Sequence, residues 1–79
     1  MALPSLMKVF GRNMELIALK RGWTLKDIAE KGDLPYGHLQ QVRKGNLRYL
    51  DPDVIESLLA TLEVKPNDLF LPMEDVVYD

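Results

Sequence analysis

Closely spaced helix stops and starts constrain this chain more than any other feature of its sequence. Gly22, Gly32 and Gly45 each follow an apolar-periodic segment, and the pairs at 51–52 and 65–66 place a proline where a helix can start. Between these signals the apolar residues recur at helical spacing, and no run alternates as a half-buried strand would. The sequence therefore predicts an all-α fold, a compact bundle of five short helices.

The same signals predict where each helix lies. Helix 1 is expected at about 5–21, because Leu6, Phe10, Met14 and Ile17 share one helical face. The later helices are expected at about 24–31, 35–44 and 51–62, with a short fifth helix after Lys65. Pro35 is expected in the first turn of helix 3. One domain is expected over 1–72, with 73–79 as a tail without a helix signature.

Composition excludes several classes of function. The chain has 79 residues, no cysteine and one histidine, so a thiolate site and a transition-metal cluster are not expected. Ser5 and Ser57 have no plausible base beside them, and the carboxylates are dispersed, so an enzyme is not expected. No apolar run approaches the roughly 20 residues of a membrane span, and the N-terminus does not resemble a secretory signal. A cytoplasmic protein without cofactor, metal or small-molecule ligand is expected.

The charges are unevenly distributed along the chain. Residues 1–48 contain nine basic and four acidic residues, a net charge of +5. Residues 49–79 contain one basic and eight acidic residues, a net charge of −7, although the whole chain carries only −2. This division suggests a basic working face and an acidic back.

Four segments together resemble a known family. They are FGRNMELIALKRGWTL from Phe10, TLKDIAEK from Thr24, RKGN from Arg43 and VIESLLATLEVKPNDLF from Val54. In this order they resemble the helices of the Cro and phage-repressor (XRE-type) helix-turn-helix regulators, over about four fifths of the chain from Phe10 to Leu71. The resemblance implies that helix 3 enters the major groove of double-stranded DNA and that helix 2 crosses its backbone, usually in a two-fold dimer.

The chain departs from the family pattern at several positions. Leu25 opens helix 2, where the family often has a glutamine, and helix 3 opens without the polar base readers usual there. Asp33 follows Gly32 in the turn, where it is expected to tolerate the left-handed conformation. Many members join an arginine in helix 1 to a glutamate near the end of helix 3. Ala18 and Arg43 occupy these positions here, so Arg43 is expected to be free to point toward DNA.

Helix 3 and its surroundings supply the candidate DNA contacts. Facing away from the core, the candidates for base contact are Tyr36, Gly37, Gln40, Gln41 and Lys44. Gln41 comes first among them because glutamine can bond adenine at two atoms. The candidates for backbone contact are Thr24, Lys26, His38, Arg43, Asn46 and Arg48, and Lys44 is a candidate for this role as well.

Simpler interpretations stand beside these candidates. Tyr36 could cover the core, the glutamines could be ordinary surface residues, and Arg43 and Lys44 could only complement the helix dipole. Trp23 is expected to be a packing anchor.

Surplus apolar residues suggest a dimer contact at Leu47, Tyr49 and Leu50, together with parts of the tail. The sequence thus favours a transcription regulator, most simply a repressor that binds a palindromic operator as a homodimer. The alternative is a protein-interaction module, such as an antirepressor, an antitoxin-like protein or an accessory factor, that keeps the helix-turn-helix as a scaffold. The net negative charge and the start of helix 3 favour that alternative.

Overall fold

The computed structural model describes residues 5–73, which form five α-helices and no strand. The helices are α1 (Leu6–Lys20), α2 (Leu25–Gly32), α3 (Tyr36–Lys44), α4 (Pro52–Leu62) and α5 (Pro66–Phe70). The predicted all-α class and the five-helix order are confirmed. Of the predicted tail, only Met73 lies within the described residues, and 74–79 lie outside them.

Local side-chain caps explain where four of the helices begin. Ser5 accepts a hydrogen bond from the Lys8 amide at 3.2 Å, and Asp51 accepts one from the Asp53 amide at 2.9 Å. Thr24 and Asp27 form a reciprocal capping box at α2, and Asp68 accepts from the Lys65 amide at 3.0 Å at α5. Because these caps satisfy amides that have no partner within the helix, they fix each start locally.

The start of α3 differs from this pattern. Pro35 is the N-cap in an extended conformation (φ −64°, ψ 126°), and no side chain caps the helix there. The expectation that Pro35 lies in the first helical turn was therefore wrong by one position. The Pro35 carbonyl still accepts the first helical bond, from the Leu39 amide at 3.2 Å, as an N-cap carbonyl does.

All five helices contribute to one apolar core. Its fully buried large side chains are Phe10, Met14, Ile28, Leu39, Val42, Leu58, Leu62 and Leu69. The rings of Phe10 and Phe70 lie 5.0 Å apart between centroids, a tilted contact that joins α1 to α5. Leu6 shares a helical face with Phe10, Met14 and Ile17 but does not join this core. It is 52% exposed, and the buried residues of α1 begin with Val9 and Phe10.

Two small or polar residues of α1 set how closely its neighbours approach. A Cβ at Gly11 would overlap the Val42 carbonyl oxygen, so the absence of a side chain lets α3 lie directly against α1. Asn13 is completely buried, and its Nδ2 donates to the carbonyls of Leu69 (3.0 Å) and Leu71 (2.8 Å). Helix α1 therefore holds α3 on one side and the end of α5 on the other.

Candidate nucleic-acid interface

The turn between α2 and α3 fixes the angle at which the two helices diverge. Asp33 adopts the left-handed conformation (φ 52°, ψ 49°), as expected from its replacement of a turn glycine. The Leu34 amide donates to the Ala29 carbonyl at 2.9 Å, which closes the end of α2. Leu34 packs against the core, so the turn is anchored on the molecule rather than free to vary.

Helix α3 presents its candidate base contacts on the side opposite its buried residues. Leu39 and Val42 are the buried pair of this helix. The candidates Tyr36, Gly37, Gln41 and Lys44 are exposed, and Gln40 is half-buried. Side-chain periodicity thus separates one apolar face from one polar face along the whole of α3.

The first turn of α3, at Tyr36 and Gly37, is exposed and has few neighbouring atoms. Tyr36 is 46% exposed, so nearly half of its surface is open to solvent. A Cβ placed on Gly37 would meet no non-neighbouring atom within 4 Å. The backbone of this first turn is therefore open to a partner that approaches closely.

The start of α2 carries a compact electrostatic arrangement. The Thr24 amide donates to Asp27 Oδ2 at 2.8 Å, and the Asp27 amide donates to the Thr24 hydroxyl oxygen at 3.2 Å. The Thr24 backbone bond, followed by the Thr24 side-chain bond, holds the pKa of Asp27 below its ordinary value, and the charges of Lys31 and Lys26 add to this effect. Thr24 is thus a helix cap in this structure. Both Thr24 and Lys26 are exposed.

The other backbone-contact candidates differ in their accessibility. Arg43, Asn46 and Arg48 are exposed at and beyond the end of α3. The exposure of Arg43 agrees with the expectation that, opposite Ala18, it takes no part in an internal ion pair. His38 is half-buried, and its Nε2 is enclosed without a hydrogen-bond partner among the described residues. That nitrogen does not face outward here, so a phosphate contact by His38 stays a prediction without geometric support.

Lys8 is a basic residue that sequence reasoning did not select. A Cβ at Gly45 would lie 2.8 Å from Lys8 Cγ and 2.9 Å from Lys8 Cα, so this part of α1 lies directly against the end of α3. Lys8 is exposed and therefore extends the basic surface around Gly45. The spacing of Lys8 and Gly11 could have indicated this position. Lys8 lies one turn before Gly11, so both residues lie on the α1 face that packs against α3.

The predicted dimer residues are not equally available for contact. Leu47 and Leu50 are partly buried and pack against the core, whereas Tyr49 between them is 80% exposed. Their part in a dimer stays a prediction.

Trp23 packs against the core as the sequence suggested. Its ring also lies 5.5 Å from Arg21 Cζ and 4.9 Å from Lys31 Nζ, measured to the ring centroid. Both distances are typical of cation–π contacts.

Within residues 5–73, no group of three histidine or acidic side chains could hold a metal ion. No helix in that range is long and apolar enough to cross a membrane.

Three solved structures illustrate what the fold is similar to. The hypothetical transcription factor NHTF from Neisseria is 24% identical, with a TM-score of 0.79 over 95% of this chain and 90% of that one. The restriction-modification controller protein C.AhdI from Aeromonas hydrophila is 22% identical, with a TM-score of 0.73 over 81% of this chain and 96% of that one. The wild-type restriction-modification controller protein C.Esp1396I is 26% identical, with a TM-score of 0.70 over 82% of this chain and 83% of that one.

Comparisons with protein-family models and with curated protein sequences give no match. The structural likeness covers 81–95% of this chain, and these neighbours are a hypothetical transcription factor and two restriction-modification controller proteins. The resemblance found in the sequence is therefore confirmed: the chain has the five-helix fold of the Cro and phage-repressor type of helix-turn-helix regulators.

Proposed function

We propose that this chain is a sequence-specific regulator of transcription that binds double-stranded DNA. In this proposal α3 enters the major groove, α2 crosses the backbone, and two copies bind a palindromic operator as a repressor. The observation that carries the proposal is the exposed polar face of α3, with Gln41 and Lys44 on the side opposite buried Leu39 and Val42. An α-helix with such a face fits the width of the major groove.

Base recognition is assigned to the first two turns of α3. Gln41 is exposed, and its amide can donate to adenine N7 while it accepts from the adenine N6 amino group. Gly37 lets the helix backbone approach the base edges, and half-exposed Tyr36 offers a ring to a thymine methyl group. These contacts would set the sequence preference.

Backbone recognition is assigned to the basic residues around α3. Lys26 lies at the start of α2, while Arg43, Lys44 and Arg48 lie at or beyond the end of α3, and all four are exposed. The +5 net charge of residues 1–48 favours a polyanion on this side in spite of the overall charge of −2. These contacts would supply much of the affinity and make it depend on salt.

The regulatory part of the proposal is supported by the structural neighbours. Two of the three neighbours are restriction-modification controller proteins, and the third is a hypothetical transcription factor. The proposal extends their regulatory role to this chain through the shared fold.

Selection of bound duplexes from a random pool tests the proposal. The expected result is a two-fold symmetric consensus with half-sites about one helical turn apart, together with a dimer on the selected duplex in sedimentation experiments. No enrichment, with weak binding at every salt concentration, would overturn the proposal. An asymmetric consensus bound by one copy would retain DNA recognition and reject the palindromic dimer.

A second candidate function is a protein-interaction module, and exposed apolar side chains favour it. Leu6, Leu19 and Leu71 are 52%, 64% and 56% exposed, respectively. Failure of the duplex selection combined with a stable complex with another protein would support this candidate.

A further inference from the structure

A groove opens where α1, the start of α2 and α3 meet. It has a volume of about 220 Å³ and is lined by Glu15, Ala18, Leu19, Trp23, Thr24, Leu25 and Arg43. Ala18 is buried, with 3% of its surface exposed, whereas Leu19 is 64% exposed. Most of the lining is apolar, from Ala18, Leu19, Trp23 and Leu25, and the groove is open to solvent. Such a lining favours a ligand with an apolar body.

Cations outnumber carboxylates around the groove: Arg12, Arg21, Lys31 and Arg43 stand against Glu15 and Asp27, whose carboxylate is bonded to the Thr24 amide. Arg43 is exposed, and no ion pair to it is present among residues 5–73. The one carboxylate of the lining, on Glu15, lies 3.4 Å from the Arg12 guanidinium, which offsets its charge. Arg21 and Lys31 add two further cations beside the Trp23 ring.

We propose that this groove binds a small carboxylate with an apolar body. The body would pack against Leu19, Trp23 and Leu25, and the carboxylate would accept hydrogen bonds from the Arg43 guanidinium. A guanidinium is suited to this contact because its N–H groups match the two oxygens of a carboxylate. Sequence patterns did not indicate such a site, because its lining comes from three separate helices.

The volume limits the size of the ligand. Pockets that bind drug-sized ligands commonly measure about 300–1,000 Å³. This groove, at about 220 Å³, is smaller and therefore suits a smaller ligand, of roughly ten non-hydrogen atoms. Small ligands in open sites bind weakly, and a Kd on the order of 1 mM is expected. Phenylacetate has the required size, charge and apolar body.

A regulatory consequence rests on the proposed function. Arg43 is assigned there to the DNA backbone, and a carboxylate in the groove would engage the same guanidinium. The two ligands would then compete for Arg43, so each would lower the affinity for the other by the same factor. A reduction of about fivefold in DNA affinity is expected at saturating carboxylate, since coupling energies of this kind are commonly modest.

The test begins with the full chain in the absence of DNA. Phenylacetate is titrated at constant ionic strength, while the fluorescence of Trp23, the single tryptophan of the chain, and the amide shifts of Leu19 and Leu25 are followed. A saturable change is expected with phenylacetate, and a much weaker one with phenylacetamide, which lacks the charge. No saturable change up to about 50 mM, or equal binding of the amide, would overturn the proposal.

Two variants locate the contact. Arg43→Gln is expected to weaken phenylacetate binding about tenfold, because it removes a charge-assisted bond without filling the groove. Lys20→Gln is the matched control, because it removes an exposed cation of α1 outside the groove lining, and unchanged affinity is expected. Parent-like binding by Arg43→Gln would overturn the proposal. Because this titration uses no DNA, its outcome is independent of whether the proposed DNA binding is correct.

Discussion

At the scale of single residues, the fold depends on a few contacts that bind α1 to distant parts of the chain. Asn13 is the main example, because a fully buried amide donates to two carbonyls at the end of α5. A buried polar group stabilises a fold only when its bonds are made, and removing it leaves its partners unsatisfied. Together with the Phe10–Phe70 ring contact and the buried Leu69, these two bonds hold α5 against α1.

Replacing Asn13 should destabilise the protein strongly. Asn13→Ala would leave the Leu69 and Leu71 carbonyls without this donor and would open a small cavity, so the free energy of unfolding should fall by about 2–3 kcal/mol. Urea unfolding followed by circular dichroism measures this. Asn67→Ala, at an exposed position of α5, is the control and should change stability by less than about 0.5 kcal/mol. Equal effects of the two substitutions would contradict the role of Asn13.

A pair of glycine substitutions tests the close approach of α1 and α3. Gly11→Ala would place a Cβ against the Val42 carbonyl oxygen and 2.8 Å from the Arg43 carbonyl oxygen. Such overlap with backbone forces the helices apart, and a loss of about 2 kcal/mol or more is expected. Gly37→Ala meets open space within α3, so it should raise the free energy of unfolding by about 0.5–1 kcal/mol through helix propensity. Thermal unfolding of both variants would show opposite shifts, and shifts of the same sign would contradict this packing.

The capping box at α2 gives stability a dependence on acid pH. Folding lowers the pKa of Asp27 from its ordinary value of 3.8, so the ionised carboxylate adds stability at pH values above 3.8. That contribution is lost as the pH falls through the lower pKa of the folded state. Asp27→Asn should therefore show a smaller loss of stability on acidification than the parent protein does.

Unfolding by urea at neutral pH and at several pH values below about 4 measures this difference. Asp53→Asn is the matched control, since Asp53 also lies in a first turn but is not part of a capping box. If Asp53→Asn reduced the pH dependence of the free energy of unfolding as much as Asp27→Asn did, the capping box would not be the source of that dependence.

At the scale of helices and turns, local signals predicted most of the boundaries. Caps at Ser5, Thr24 and Asp51 act within two or three residues, so the sequence shows them directly. The left-handed turn at Asp33 was predicted for the same reason. The bonds of Asn13 were not predictable in this way, since they join residues 56 and 58 positions apart. Likewise, periodicity predicted the outer face of α3, but the enclosure of His38 Nε2 depends on tertiary packing.

The end of α4 contains a conformation that its residue does not favour. Glu63 caps the helix with φ 56° and ψ 48°, a left-handed position usually held by glycine. Glu63→Gly should therefore raise the free energy of unfolding by about 1 kcal/mol. Glu56→Gly, the same substitution inside α4, should lower it by about 1 kcal/mol. Chemical denaturation of the pair gives opposite signs if the helix ends here, and a loss in both variants would contradict this C-cap.

At the scale of the whole molecule, the distribution of charge supports the proposed function. Residues 1–48, which contain α2 and α3, carry +5, and the remaining residues carry −7. A small protein with this division can hold a polyanion against one part of its surface while its overall charge stays negative. The sequence predicted this division and the fold, but which atoms meet DNA depends on a complex that sequence patterns do not describe.

The proposal assigns different effects to base contacts and to backbone contacts. Gln41→Ala should reduce discrimination between the selected duplex and one altered at a single consensus base, while the dependence of affinity on salt stays unchanged. Arg43→Ala should weaken binding to both duplexes alike and reduce the salt slope by about one for each phosphate that the variant no longer neutralises. Lys65→Ala, which removes the one basic residue of the acidic half, is the control and should leave both properties unchanged.

Fluorescence anisotropy with the selected and altered duplexes, at two salt concentrations, is the measurement that tests the central claim most directly. The claim that α3 reads DNA predicts that Gln41→Ala loses a factor of about 5–100 in discrimination, the value of a good base contact. Full discrimination by Gln41→Ala, together with an unchanged salt slope for Arg43→Ala, would contradict the claim that the exposed face of α3 is the surface that reads DNA.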